Sequence, residues 1–311
     1  MHRTIVILAV LLVSLGATAQ TADRFRITLL GTGTPKPVME RFGPSILVEA
    51  GSEVLLFDAG RGSLQRLEQA GVPYARLTAL FLTHLHSDHV VGLPDLWLSG
   101  WLVSRRATPL EVWGPAGTAE MVARLREAYE FDLQIRVEDD QANAEGGRLI
   151  ATDVEEGVVV KRNGVTVKAF LVDHAPIEPA LGYRIDYRGH SVVLSGDTRK
   201  SENLIKHAKG VDVLIHEVAA SDKDDLARSS LSRSILAHHT TAAEAAAVFR
   251  ETAPKLAVYS HIVLRGAASA DDVLRDTRRT YDGKLVMGSD LMTIDVFSGT
   301  RGSIAAKSQS R

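Results

Sequence analysis

The chain has 311 residues and 45% apolar content, enough to bury one large core or two small ones. A formal net charge of -2 excludes a global basic surface as the means of holding a polyanion. There is no cysteine, which excludes disulfides, thiolate metal ligands and cysteine nucleophiles together, so any metal must be held by nitrogen and oxygen.

The first residues read as a processing segment. His2 and Arg3 form a short basic start, residues 5–15 are almost wholly apolar, and Ala17-Thr18-Ala19 supplies small residues for cleavage. The apolar run is shorter than the ~20 residues that span a bilayer. Residues 1–19 are therefore expected to be a signal peptide, leaving residues 20–311 as one domain, periplasmic or secreted, with no membrane anchor after cleavage.

From there strands and helices alternate. Residues 25–30, 45–49 and 53–58 read as strands, residues 64–70 as a helix closed by Gly71, and residues 79–82 as a short strand running into a histidine cluster. Residues 93–101 and 118–131 read as helices, the second with Thr118 as its N-cap. Residues 158–161, 165–171, 182–187 and 191–195 are strands, with Asn163-Gly164 and Arg188-Gly189 as hairpin turns. Residues 211–216 and 256–260 are further strands around a helix at 241–251. A last helix at 271–281 precedes strands at 284–287 and 292–297. Residues 139–147 and the tail after Thr300 are expected to be mobile. Strands and helices in both halves predict two sheets packed together with helices outside.

Thr83-His84-Leu85-His86-Ser87-Asp88-His89 is the most informative string. On an extended exit from a strand, His84 and His86 point the same way, with Asp88 and His89 one turn further on. That offers two imidazoles to one metal and a carboxylate plus an imidazole to a second, a nitrogen and oxygen set suited to zinc. Asp58, at the end of a strand, is expected to brace this loop by accepting hydrogen bonds rather than to bind metal. Gly31-x-Gly33 is rejected as a nucleotide loop, because Lys36 stands where a third glycine is needed and Pro35 and Pro37 oppose a helix there.

His84-x-His86-x-Asp88-His89 resembles the signature of the metallo-β-lactamase superfamily, and the likeness runs across nearly all of the chain after residue 20. Leu30-Gly31-Thr32-Gly33-Thr34, Phe57-Asp58-Ala59-Gly60, Val172-Asp173-His174, Ser195-Gly196-Asp197-Thr198 and Tyr259-Ser260-His261 resemble its other landmarks. The resemblance implies an αββα sandwich, an α/β fold of two mixed sheets with outer helices. It also implies two metal ions, zinc by default, with manganese or iron also suited to these ligands. His84, His86 and His174 would hold one ion, Asp88, His89 and His261 the other, and Asp197 would bridge them. Asp88 is counted among the catalytic residues as well.

Two more segments, Ile215-His216-Glu217-Val218 and His239-Thr240-Thr241-Ala242-Ala243-Glu244-Ala245, resemble the ribonuclease Z-like branch. In that branch Glu217 would orient His239 as proton donor to the leaving group. Only nine residues separate Gly182-Tyr183-Arg184-Ile185 from Ser195-Gly196-Asp197, so the arm that grips RNA in that branch is missing at this point. Transfer RNA is accordingly not expected as a partner. The expected enzyme is an exported dinuclear-zinc hydrolase that resembles secreted arylsulfatases, acts on a small anionic aryl sulfate through a bridging hydroxide, and forms a homodimer. Its alternative is a phosphodiesterase acting on small phosphodiesters or cyclic nucleotides. Trp97 and Trp101, four apart on one helix, either line an aryl slot or fill the core, and Arg61 is a candidate contact for the ester anion.

Overall fold

The computed structural model describes residues 24–304, so the expected leader at 1–19 lies outside the described residues, as does the end of the tail. Six strands open the first sheet: β1 (Phe25–Gly31), β2 (Ser45–Ala50), β3 (Glu53–Phe57), β4 (Ala79–Phe81), β5 (Leu110–Gly114) and β6 (Leu149–Asp153). The second sheet is built from β7 (Gly157–Arg162), β8 (Val165–Val172), β9 (Ala180–Tyr187), β10 (His190–Leu194), β11 (Val213–Ser221), β12 (Leu256–Arg265) and β13 (Leu285–Met287). The chain then returns to the first sheet as β14 (Met292–Asp295) and β15 (Arg301–Ser303). The two orders are β15-β14-β1-β2-β3-β4-β5-β6 and β13-β12-β11-β10-β9-β8-β7.

Both sheets are mixed in the same way. β1, β2 and β3 pair antiparallel, and β3 to β6 continue parallel. β7 to β10 pair antiparallel, and β10 to β13 continue parallel. Parallel strands need helices on their outer faces, and three apolar layers result. The middle layer lies between the sheets and includes Phe57, Phe81, Val167, Tyr183, Ile185 and Val258. Each fully buried aliphatic or phenyl side chain there contributes about 1.5–3 kcal/mol. Leu56, Leu80, Leu93, Leu96 and Trp97 form the layer under the helices of the first sheet, and Leu214, Ala246, Phe249 and Tyr259 that of the second. This is the αββα sandwich expected from the sequence, with no helix among the described residues long and apolar enough to cross a membrane.

Several local details follow the sequence. Gly71 closes the helix Ser63–Ala70 at φ 68, and Asn163-Gly164 and Arg188-Gly189 turn their hairpins at positive φ throughout. Thr241 caps Ala242–Thr252 in a box with Glu244.

Others differ. The helix expected at 118–131 stops at Ala128, and Glu130–Glu138 is a separate helix after Tyr129. Gly117, at φ 99, takes the N-cap, while the Thr118 hydroxyl donates to the Pro115 carbonyl at 2.7 Å. The segment 139–147 is tethered: the Trp97 indole donates to Gly147 O at 2.9 Å and the Trp101 indole to Asn143 O at 2.6 Å. Arg301–Ser303, expected in a mobile tail, pairs with β14 as β15.

The sheets are joined just beneath the histidine string. The Tyr183 hydroxyl on β9 donates to Leu82 O at 2.8 Å, and Leu181 N donates to Thr83 O at 2.8 Å. Tyr183 packs on the stacked Phe57–Phe81 pair, whose rings lie 4.9 Å apart. These contacts lock the exit of β4 against the second sheet.

Candidate metal centre

His84 leaves the end of β4, and Asp88 and His89 sit on the single-turn helix Ser87–Val90. Asp58, at the end of β3 with φ 59, holds this segment from behind. Its carboxylate accepts from Thr83 N at 2.8 Å and from the Thr83 hydroxyl at 2.9 Å, and His89 Nδ1 lies 2.8 Å from Oδ2. Nδ1 of His89 is thus the protonated nitrogen, and Nε2 is left facing the cluster. Thr83, which the sequence reading passed over, also places its hydroxyl 3.0 Å from His84 Nδ1. The only signal for it was its place between a strand and the histidines.

The second sheet delivers the rest from its strand ends. His174 follows β8, and its Nδ1 donates to His238 O at 2.9 Å. Asp197 follows β10 through Gly196 at φ 61, where a Cβ would stand 2.6 Å from Leu181 O. His261, within β12, takes φ 42, a left-handed conformation that β-strand residues adopt only under constraint.

The result is one cluster around Asp197. Its Oδ2 lies 3.3 Å from His261 Nε2, 3.4 Å from His89 Nε2, and 3.9 Å from both His84 Nε2 and His174 Nε2. Asp88 Oδ2 is 3.4 Å from His261 Nε2 and 3.7 Å from His89 Nε2, and His86 Nδ1 is 3.0 Å from His84 Nε2. All seven residues expected as ligands are therefore together, and they group as His84, His86, His174 and Asp197 on one side and Asp88, His89 and His261 on the other, with His239 also within reach of Asp197 and His261.

Burial holds His84 well below its ordinary pKa, helped by the neighbouring imidazoles, and lowers His86 and His174 as well. These three rings are neutral, the form that metal binding requires. Burial would raise Asp197, but His261, His89 and His84 hold it well below the carboxylate range. His89 Nε2, His174 Nε2, His261 Nδ1 and Asp197 Oδ1 are buried without a hydrogen-bond partner among the described residues. Ligand bonds of about 2.0–2.2 Å at tetrahedral angles space donor atoms by about 3.3–3.6 Å, matching His261 Nε2 at 3.3 Å and His89 Nε2 at 3.4 Å from Asp197 Oδ2. The donor set fits divalent ions.

Glu217 and His239 stand beside this ring. Glu217 Oε1 accepts from Thr240 N at 2.8 Å and Thr198 N at 3.3 Å, and lies 3.2 Å from His239 Nδ1, an ion pair rather than a well-aligned hydrogen bond. Burial would lower the imidazole, yet the Glu217 charge, with Asp197 beyond it, pushes His239 up to about 9. His238, the neighbouring histidine, contributes its backbone carbonyl to His174 instead.

A cleft of about 260 Å³ opens over the cluster, lined by His86, Asp88, His174, Asp197, His239 and His261. Lys36 and Arg265 add positive charge to its rim, and Ile235, Val263 and Leu264 make an apolar wall. No sequence pattern marked Arg265 or Ile235, since they meet the cleft only through the fold. Trp97 and Trp101 do not line it; both are buried, with their indole N–H groups used on the 139–147 segment. Arg61 points elsewhere and donates to Pro35 O at 3.3 Å.

Residues 53–262 match the family model of the beta-lactamase superfamily domain. The chain belongs to the metallo-β-lactamase superfamily. It is a metal-dependent hydrolase of that superfamily, and curated proteins it is similar to include several named ribonuclease Z. Ribonuclease Z of Mycolicibacterium paratuberculosis (strain ATCC BAA-968 / K-10) is 38% identical over 276 residues, 87% of this chain and 98% of that one. Ribonuclease Z of Mycolicibacterium gilvum (strain PYR-GCK) is 36% identical over 277 residues, covering 88% and 96%. Among solved structures, human tRNase Z, short form, superposes with TM-score 0.64 at 26% identity, covering 87% of this chain and 99% of that one. The metallo-β-lactamase fold protein YhfI from Bacillus subtilis superposes with TM-score 0.68 at 19% identity, covering 90% and 100%, which speaks for the fold alone.

These relatives correct the expectation about partners. A small ester in place of transfer RNA was inferred from the short β9–β10 turn, on the premise that an RNA enzyme of this branch needs a long arm there. The relatives named ribonuclease Z are matched over 96–98% of their own length, so a long extra segment does not set them apart from this chain. The same matches favour the phosphodiesterase alternative over the arylsulfatase reading.

Proposed function

We propose that this superfamily member is a phosphodiesterase of the ribonuclease Z type that cleaves a phosphodiester bond of RNA. One observation carries the reading: His239, beside Asp197 and His261 but outside the two ligand sets expected from the sequence, faces the Glu217 carboxylate, which pushes it up to about 9. A nitrophenolate or similar leaving group departs unaided, whereas the alkoxide that leaves an RNA backbone is strongly basic and needs a proton. A fixed imidazolium at the cleft floor answers that need.

In this reading His84, His86 and His174 would hold one ion and Asp88, His89 and His261 the other, with Asp197 available to both. Zinc is the default for this imidazole and carboxylate set. Two divalent ions held there would supply Lewis acidity and a water nucleophile at neutral pH. The chain's own residues do the rest. Asp58 and Thr83 fix the tautomer and angle of the His84–His89 segment, Lys36 and Arg265 attract the phosphate, and the wall of Ile235, Val263 and Leu264 excludes water from one side. His239 donates from Nε2 while Glu217 stabilises the charge on the ring.

The test is direct. Purified protein loaded with zinc is given a precursor transfer RNA with a 3′ extension and, separately, p-nitrophenyl sulfate. Endonucleolytic cleavage of the RNA is expected, abolished by chelation and restored by zinc. Turnover of the sulfate ester with no RNA cleavage would overturn the proposal.

A further inference from the structure

At the opposite pole of the sandwich, where β11, β12 and β13 begin, lies a second cavity of about 440 Å³. Leu256 lines it, five residues before His261 on the same strand. At about 3.3 Å per residue, the two sites are roughly 16 Å apart. The metal centre and its cleft do not extend to it.

Its wall brings together Lys255, Arg278, Lys284 and Arg301 against a single carboxylate, Asp212. Asp212 is already engaged: Lys255 Nζ lies 2.7 Å from it, Ser191 N donates to it at 2.8 Å, and His190 Nδ1 is 3.2 Å away. Arg278 donates to the Gly283 carbonyl at 2.6 Å, which positions the guanidinium without neutralising it. Among the described residues no carboxylate lies within ion-pair distance of Arg278, Lys284 or Arg301, although other arginines of the same region, Arg275 and Arg279, each have an aspartate. The four cations are exposed and hydrated, but together they give the mouth of this cavity a local positive potential that attracts anions. Leu285, Val286 and the Phe297 ring give the cavity an apolar side, next to His190 and Ser298. Arg278, Lys284 and Arg301 all lie beyond the residues 53–262 that the family model matches.

We propose that this cavity is a second binding site, for a small phosphate-bearing anion with an apolar or aromatic part, a nucleoside monophosphate being the class that fits. The cations clamp the phosphate, since charge-assisted hydrogen bonds are the strong ones, and the apolar wall takes the base.

Calorimetric titration of the full-length protein with adenosine 5′-monophosphate tests it, with inorganic phosphate as the second probe. Lys284→Ala/Arg301→Ala serves as the variant: both side chains are exposed, so the core is untouched, and an unchanged thermal unfolding midpoint checks this. The nucleotide is expected to saturate a site that the variant loses, its affinity falling at least about tenfold, while phosphate occupies the same site more weakly. The metal cleft is intact in both proteins, so binding there would not differ between them. Equal nucleotide affinity in both proteins, no saturable binding, or phosphate binding as tightly as the nucleotide would each overturn the proposal.

Discussion

The two halves of the sandwich meet the metal centre with the same device, used to different ends. In the first sheet, Asp58 at the tip of β3 anchors backbone through Thr83 N and holds Nδ1 of His89. In the second, Glu217 on β11 anchors backbone through Thr240 N and Thr198 N and holds Nδ1 of His239. Both carboxylates set an imidazole so that its other nitrogen faces the centre. They differ in what that nitrogen meets. His89 Nε2 lies 3.4 Å from Asp197, inside the donor ring, where a metal would take the place of a proton. His239 stands close to Asp197 and His261 as well, but belongs to neither of the two ligand sets expected from the sequence, and in that division its proton can stay. A carboxylate behind a histidine is therefore not a functional assignment in itself; the position of the ring relative to the other donors decides between ligation and proton transfer.

That contrast can be broken most severely at His239. His239→Ala should slow cleavage of RNA by about 10²–10⁴-fold, as for a positioned general acid, and slow bis-p-nitrophenyl phosphate far less, because its leaving group needs little protonation. Metal analysis should show wild-type content. Equal slowing of both substrates, or lost metal, would put His239 on the same footing as His89.

A smaller effect is expected on the other side. Asp58→Asn keeps an acceptor for Thr83 N but removes the charge behind His89, so metal affinity should fall by about 10–100-fold. Competition with a chromophoric chelator measures this. Glu217→Gln examined the same way should bind metal like the wild type. If the two variants lose metal equally, the distinction between the halves collapses.

The smallest effect sharpens the role of Glu217. A general acid works while protonated, and in the metal-free site Glu217 raises His239 from its ordinary 6.5 to about 9, so activity on RNA should fall along an alkaline limb. Glu217→Gln removes the main cause of the raising, and its alkaline limb should move downward toward 6.5. Bound ions lower both limbs alike, so the difference between the two pH–rate profiles is the quantity to read. An unmoved limb would mean that Glu217 only braces Thr240 and Thr198.

Much of this was legible in the linear chain because it is written locally. The string from His84 to His89 carries four donors within six residues, so a single strand exit already brings them together. β1, β3 and β4 read as strands because helices and the partner sheet bury them on both faces, leaving near-continuous apolar runs. β5, β6 and β15 escaped: β6 and β15 are less buried strands at the sheet margins, and β5, though interior, is only five residues long, too short to carry a clear period. Trp97 and Trp101 left two alternatives open, slot or core, for a related reason, and the core alternative holds. Their spacing defines a helix face, but what that face meets, here the 139–147 segment rather than the cleft, is a matter of packing.

The amino-acid order by itself determined the alternation of strands and helices and the four donors of the His84–His89 string, because apolar period and local motif are properties of neighbours along the chain. The αββα sandwich and the places of His174, Asp197 and His261 followed from the resemblance to the superfamily. Tertiary structure alone decided the rest. It placed Asp197 within 3.3–3.9 Å of four histidines drawn from both sheets, put Lys36 and Arg265 on one rim, and gathered Lys255, Arg278, Lys284 and Arg301 at the far pole. Those groups are separated by tens to hundreds of residues in the chain, and only sheet pairing and inter-sheet packing set their distances. Since an electrostatic or coordination effect depends on distance in space, its strength and its target could be read only once the strands were in place.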